Sequence, residues 1–165
     1  MTRAWTHGFA ALTAALLLAP AAGVAHDYEV GALHLSQPWI RPTPNAAPTA
    51  AGYLTVINHG GTPDRLLGGT SPDALSVEPH SMSMAGGIMR MRLLPNGFEI
   101  ASGATLTLSP GGGHLMLIGP KRPFKAGDRV PATLRFARAG EVKVYFTVQA
   151  DAPGAGSAKP GMAMH

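Results

Sequence analysis

The chain has 165 residues, a formal net charge of +4 with histidine neutral, and no cysteine. The lack of cysteine excludes a disulfide framework and a blue-copper electron carrier, which needs a thiolate ligand. Basic residues are scattered except in KRPFK, residues 121–125, which we interpret as a solvated loop. No Arg/Lys stripe alternates with stacking aromatic residues, so nucleic acid is not an expected partner.

The first 25 residues have the pattern of a cleaved export signal. Arg3 supplies the positive charge, and Phe9 to Ala19 form an apolar run that is too short to span a bilayer, which needs roughly 20 residues. Gly23-Val24-Ala25 provides the small residues that precede cleavage before His26. We therefore expect an exported, periplasmic protein with no membrane anchor, and no lipid anchor because lipidation would need a cysteine.

Residues 26–150 are predicted to form one domain of short strands separated by Gly- and Pro-rich turns. In chain order the strands are expected in YEVGALHLSQPWIRPTP, broken at Pro38, and then in AAGYLTVINHG, DRLLGGT, ALSVEPHSM, GIMRMRLLP, FEI, ATLTLSP, HLMLIGP, VPATLRFAR and EVKVYFTVQA. Eight to ten short strands predict an all-β, antiparallel Greek-key sandwich or barrel. The tail, residues 151–165, has no hydrophobic period and is predicted to be disordered.

Methionine is distributed unevenly along the chain. Apart from Met1 it occurs in three places, each close to a histidine: Met82, Met84, Met89 and Met91 follow His80, Met116 follows His114, and Met162 and Met164 precede His165. Methionine that only fills a core should be scattered among the strands, which here use Leu, Val, Ile, Phe and Tyr instead. Core packing is therefore the weaker of the two explanations.

Alternation along a strand places these side chains together. Successive side chains point to opposite faces, so His114 and Met116 share one face, and Met89 and Met91 share a face opposite to Arg90. Thioether is soft and neutral, and imidazole is borderline. A His/Met set without carboxylate or thiolate favours Cu(I) over zinc, calcium or magnesium.

The spacing of these residues resembles the PCu(A)C family of periplasmic copper chaperones. The family motif is His, ten residues, Met, about twenty-one residues, and His-x-Met. Here His80 is followed by ten residues and Met91, and then, after 22 residues, by His114 and Met116. The additional residue is expected in the PNG or PGGG turn. The segments PWIRPTP, AAGYLTVIN, MRMR and HLMLIGPKRPFKAGD are also similar to the family.

The resemblance implies a cupredoxin-like sandwich in which His80, Met91, His114 and Met116 bind Cu(I). Met82, Met84 and Met89 would be neighbours of the site or ligands on the route into it. It also implies delivery of copper to the CuA centre of cytochrome c oxidase subunit II, directly or with a Sco-type copper protein. Some members bind a second copper, Cu(II), in a C-terminal tail, which here ends in Met162, Met164 and His165. We expect a monomer.

Two other functions fit parts of the sequence. Periplasmic copper storage or detoxification would use the same site. A Cu(II) redox enzyme could use the amine and imidazole of His26 as a mature N-terminus. The absence of cysteine and of a His-x-His pair, together with the Met-rich donor set, favours a protein that holds Cu(I) and is not an enzyme.

Overall fold

The computed structural model describes residues 27–153, and within this range the chain forms eleven strands and no helix. The strands are β1 (Tyr28–Val30), β2 (Leu33–Ile40), β3 (Thr49–Asn58), β4 (Asp64–Thr70), β5 (Ser76–Ala85), β6 (Ile88–Leu93), β7 (Phe98–Ile100), β8 (Thr105–Thr107), β9 (His114–Ile118), β10 (Arg129–Phe136) and β11 (Gly140–Val148). The all-β prediction is confirmed. The signal at residues 1–25, the cleavage before His26 and nearly all of the tail lie outside the described range, so these domain boundaries remain predictions.

Seven of the strands close into a ring. The order β2-β11-β10-β4-β5-β9-β3 returns to β2, because β2 pairs with both β11 and β3. The remaining strands attach at the edges: β1 to β2, β6 to β5, β7 to β4 and β8 to β3. All pairings are antiparallel except β11 with β2, which run parallel through Thr147↔Trp39 and Val148↔Ile40. Within the described residues, no helix has the length and apolar character needed to cross a membrane.

Alternating side chains fill the interior of this ring. The core includes Leu35, Leu54, Leu66, Leu115, Leu117, Phe124, Leu134 and Phe146, each essentially inaccessible to solvent. Each such side chain stabilises the fold by about 1.5–3 kcal/mol through removal of apolar surface from water. Because Leu115 and Leu117 point into this core, the intervening positions of β9 must point to the other face.

One predicted boundary was wrong. Pro38 does not break the first strand region: β2 continues through it to Ile40, and the break lies at Gly31-Ala32 instead. The pairing of β2 with β3 shifts between Ser36 and Trp39, with Gln37 in the left-handed region at φ 53°. A β-bulge of this kind accommodates a proline, which has no N–H to give to the ladder. Pairing then resumes with Trp39 opposite Tyr53.

The close approach of β4 to β10 gives a test of the packing. A Cβ at Gly69 would overlap the backbone carbonyl of Thr133 on β10, so Gly69→Ala should lower the free energy of unfolding by about 1–3 kcal/mol. The control is Gly61→Ala, since no atom lies within 4 Å of a Cβ at that exposed position. Urea unfolding midpoints compare the two variants, and equal midpoints would contradict the strand arrangement.

Candidate metal centre

His80 sits where strand β5 changes partners. The first half of β5 pairs with β9 and the second half pairs with β6. His80 belongs to both ladders, opposite His114 on β9 and Leu93 on β6. The two imidazole rings are therefore neighbours, with centroids 5.9 Å apart and planes 28° from parallel. Two histidines that are 34 positions apart in sequence are thus brought together by strand register alone.

The buried polar side chains show an exception at this point. Asn58, Asp64 and His114 are the buried polar residues of the described chain. The Asn58 amide donates to the carbonyls of Thr62 and Ile100, and the Asp64 carboxylate accepts from the backbone N–H groups of Arg138 and Ala139. In contrast, Nε2 of His114 and Nδ1 of His80 are buried with no hydrogen-bond partner among residues 27–153.

Neighbouring groups fix which nitrogen of each ring is left free. Nε2 of His80 lies 3.3 Å from the Glu78 carboxylate, to which it donates, and Ser76 Oγ donates to the same carboxylate at 2.9 Å. Nδ1 of His114 lies 3.4 Å from the Gly112 carbonyl and donates to it. The remaining nitrogens, Nδ1 of His80 and Nε2 of His114, therefore present lone pairs. This is the arrangement in which an outer partner orients a metal-binding histidine.

The glycine turn before His114 has a steric reason. A Cβ at Gly113 would lie 2.7 Å from the Phe98 ring and 3.0 Å from Leu108, so only glycine fits there. The Ser109 N–H donates to the Gly113 carbonyl, which closes the turn directly before β9. Gly113 thus lets the backbone pack closely against Phe98 and Leu108 directly before His114.

Methionine side chains line a cavity beside His114. This cavity of about 360 Å³ is bounded by Met82, Met91, His114 and Met116 from strands β5, β6 and β9, and by Arg41–Pro44, Thr49–Ala51 and Tyr53. Met116 is 7% exposed, whereas Met91 is 49% exposed. Met82 lies directly opposite Met91 in the hairpin. The cavity thus brings together three of the four predicted ligands, Met91, His114 and Met116, and adds Met82. The fourth, His80, does not line the cavity but lies next to His114 across the β5–β9 ladder.

The other sequence candidates lie elsewhere. Met84 and Met89 are paired nearer the hairpin end and do not line the cavity. His34 lies at the start of β2, between the carboxylates of Asp27 and Glu29 at 3.7 and 3.6 Å. His26, Met162, Met164 and His165 lie outside the described residues.

The interpretation of KRPFK as a solvated loop is incomplete. Its arginine, Arg122, is ion-paired to Asp128 at 2.6 Å and to Asp73 at 3.3 Å. The Lys121 ammonium donates to the Pro72 carbonyl at 2.8 Å. The loop is therefore attached to the neighbouring segments by these contacts.

Sequence reasoning missed two residues of the site, Glu78 and Tyr53. Glu78 precedes His80 by two positions, so strand alternation could have placed it on the same face. Tyr53 lines the cavity, with its ring 6.4 Å from that of His114 and 4.6 Å from that of Trp39, to which it is tilted by 38°. Burial raises the pKa of the Tyr53 phenol, against a smaller opposing effect of Arg41, so it stays protonated. Trp39 and Tyr53 are both buried, and Tyr53 also lines the cavity.

The donor set is soft and neutral. Within the described part of the chain, no three His, Asp or Glu side chains form a group that could hold a metal ion. The donors gathered here are two imidazoles and up to three thioethers, a set suited to Cu(I). Burial lowers the pKa of His114; the Gly112 hydrogen bond opposes this and the charge of His80 adds to it. The ring is therefore held in its neutral, metal-binding form.

Fold and site together define a cupredoxin-like domain of the PCuAC type, as the sequence resemblance predicted. The chain matches the copper-bound PCuAC domain from PmoF2 with a TM-score of 0.65 and 30% identity over 76% of this chain and 99% of that one. It matches the solution structure of CuI-DR1885 from Deinococcus radiodurans with a TM-score of 0.57 and 31% identity, over 79% and 84% of the two chains.

The chain belongs to the LpqE-like family, described as "Putative lipoprotein LpqE-like", which it matches over residues 33–148. A relative from Leifsonia xyli subsp. xyli, "Putative lipoprotein Lxx21020", is 32% identical over 126 residues, which are 76% of this chain and 75% of the relative.

The buried state of His114 predicts a pH dependence of folding without metal. Because burial lowers its pKa below the usual 6.5, the unfolded chain holds the proton more tightly than the folded one. The stability that the neutral His114 ring contributes is fully present above pH 6.5 and is lost as pH falls through the lowered pKa of the folded state. Urea unfolding of the metal-free protein between about pH 5 and 7.5 measures this dependence. The pH dependence of unfolding should be weaker in His114→Gln than in wild type. An identical dependence in the two proteins would contradict the assigned shift of the His114 pKa.

Proposed function

We propose that this protein is a copper chaperone that binds Cu(I) through His80, Met91, His114 and Met116. The observation that carries the proposal is a pair of buried imidazole nitrogens with no hydrogen-bond partner among residues 27–153. One belongs to His114, which lines a cavity with three methionines, and the other to His80, whose ring lies 5.9 Å from that of His114. A buried polar atom left unpaired costs about 1–3 kcal/mol, and a bound metal ion removes that cost. The copper-bound state of the PmoF2 domain and the Cu(I) state of DR1885 support copper binding by this fold.

The exposure of the donors explains how the ion is released. His114 and Met116 are buried, whereas Met91 is half-exposed, so an ion bound to all three would have two buried donors and one that solvent and an acceptor can reach. Methionine has three rotatable bonds and moves easily between positions. An acceptor can replace Met91 first and the buried donors afterwards. The ion keeps its oxidation state and no covalent bond of a substrate changes, so the protein acts as a carrier and not as an enzyme.

Met82 is a second candidate for the exposed ligand. It lies opposite Met91 and lines the same cavity, so either thioether can complete the site. With two interchangeable thioethers on the exposed side, one sulfur can leave the ion while the other keeps it bound. This arrangement supports binding that is tight and still exchangeable.

The cellular role proposed here is the one that the PCu(A)C resemblance implies. The protein is exported to the periplasm, and it delivers Cu(I) to the CuA centre of cytochrome c oxidase subunit II, directly or through a Sco-type protein. The relatives described as lipoproteins support export. A second copper, Cu(II), would bind at the tail through Met162, Met164 and His165.

Removal of single donors tests the site. His114→Gln and Met116→Leu should each weaken Cu(I) binding by at least about tenfold, because even the loss of an outer-shell partner costs about 10–100-fold. Anaerobic titration against a competing Cu(I) chelator measures this, with chains ending at Ala150 used to exclude the tail. His34→Gln is the matched control, because that histidine lies outside the cavity and should leave affinity unchanged. If both site variants bind as tightly as wild type, the assignment is wrong.

The delivery role is tested in a deletion strain. Loss of the protein should lower cytochrome c oxidase activity at limiting copper, and wild type should restore it where a His114→Gln/Met116→Leu double variant does not. The strains are compared by oxidase assay and by growth in excess copper. A strain that becomes copper-sensitive but keeps full oxidase activity would contradict delivery and indicate storage.

A further inference from the structure

The hairpin of β5 and β6 has a register set by two glycines. Gly86 and Gly87 form its two-residue turn with φ of +60° and +75°. Two consecutive left-handed residues define a type I′ turn, whose twist matches the strands that it joins. The pairing that follows is Ala85↔Ile88, Met84↔Met89, Ser83↔Arg90 and Met82↔Met91.

This register places the four methionines of the hairpin in two facing pairs. Met84 with Met89 and Met82 with Met91 lie on one face, because they are separated by two positions along each strand. The serine–arginine pairs lie on the opposite face. The next pair on the methionine face after Met82 and Met91 is His80 with Leu93. A row of thioethers therefore leads from the turn to the candidate metal centre.

Core packing does not explain the outer pair. Met84 is 65% exposed and Met89 is 55% exposed. Neither belongs to the hydrophobic core or lines the cavity. Exposed apolar side chains on a hairpin favour association between molecules, so proteins usually avoid them. Ile88 at the same turn is as exposed, so Met84 and Met89 are distinguished by their thioethers, which face each other at the outer end of the row.

We propose that Met84 and Met89 form a second, weaker Cu(I) site that receives the ion and passes it along the hairpin to the main site. This inference rests on the proposed function. Side chains directly opposite in an antiparallel pair have Cβ atoms about 4.5–5.5 Å apart, so two flexible thioethers can reach one ion between them. Thioethers are ligands that select Cu(I) over harder cations.

The transfer needs no other reactant. Successive pairs on one face are about 6.5–7 Å apart along the strands, a distance that methionine side chains can bridge. At each step a bond from copper to one sulfur breaks as a bond to the next sulfur forms. Copper stays Cu(I), and no proton moves because thioethers are neutral. Affinity sets the direction of transfer, since the outer pair offers two exposed donors and the inner site adds two imidazoles whose free nitrogens are buried.

The first test follows the methionines directly. Full-length protein with ¹³C-labelled methionine methyl groups is titrated anaerobically with Cu(I) supplied as its acetonitrile complex. Met162→Leu and Met164→Leu are present throughout to remove the tail thioethers. The first equivalent should shift the Met91 and Met116 signals, and further Cu(I) should shift Met84 and Met89 together. If excess Cu(I) leaves the Met84 and Met89 signals unchanged, the second site does not exist.

The second test separates this site from the main one. In Met84→Leu/Met89→Leu, which conserves side-chain volume, the first equivalent should bind with unchanged affinity but load several-fold more slowly in stopped-flow mixing. Ile88→Leu is the matched control, because it alters an equally exposed side chain at the same turn without removing a thioether. Unchanged loading with slower transfer to an acceptor protein would overturn the proposal in favour of a docking surface. If the wild-type protein fails to bind even one equivalent of Cu(I), the proposed function itself is refuted.

Discussion

The main physical constraint on this structure is a pair of buried imidazole nitrogens that have no hydrogen-bond partner among the described residues. They are Nδ1 of His80 and Nε2 of His114. Each costs about 1–3 kcal/mol of desolvation that the fold does not recover by itself. The other two buried polar side chains between residues 27 and 153, Asn58 and Asp64, both have backbone partners. The exception is therefore local, and it coincides with the thioethers of Met82, Met91 and Met116.

The scaffold keeps these nitrogens available by fixing the atoms around them. The β5–β9 register places the two rings side by side, and the closed ring of strands holds that register on both sides. Glu78 and the Gly112 carbonyl each take one N–H, which leaves the lone pairs directed away from them. Donors on β9 are rigid and buried, whereas those on the β5–β6 hairpin are more exposed. The proposed chaperone role needs this division, with buried donors that retain an ion and exposed donors that release it.

Much of this could be predicted from local patterns. Period-two alternation was enough to put His114 and Met116 on one face, with Leu115 and Leu117 in the core, and the motif spacing selected His80 and Met91. The register between distant strands cannot be predicted from any short segment. The hydrogen bond between Glu78 and His80, and the placement of both Met82 and Met91 at the cavity, are therefore seen only in the structure. The bulge that lets β2 continue past Pro38 depends on pairing with β3, and the parallel contact of β11 with β2 depends on closure of the ring.

The most direct measurement is the ¹⁵N NMR spectrum of the two imidazole rings, recorded by long-range ¹H–¹⁵N correlation before and after one equivalent of Cu(I). The structure predicts that Nδ1 of His80 and Nε2 of His114 are unprotonated without metal and that these two signals shift on binding. The N–H groups directed at Glu78 and Gly112 should remain. Binding through the opposite nitrogen of either ring, or unchanged imidazole signals in the copper-loaded protein, would contradict the central claim.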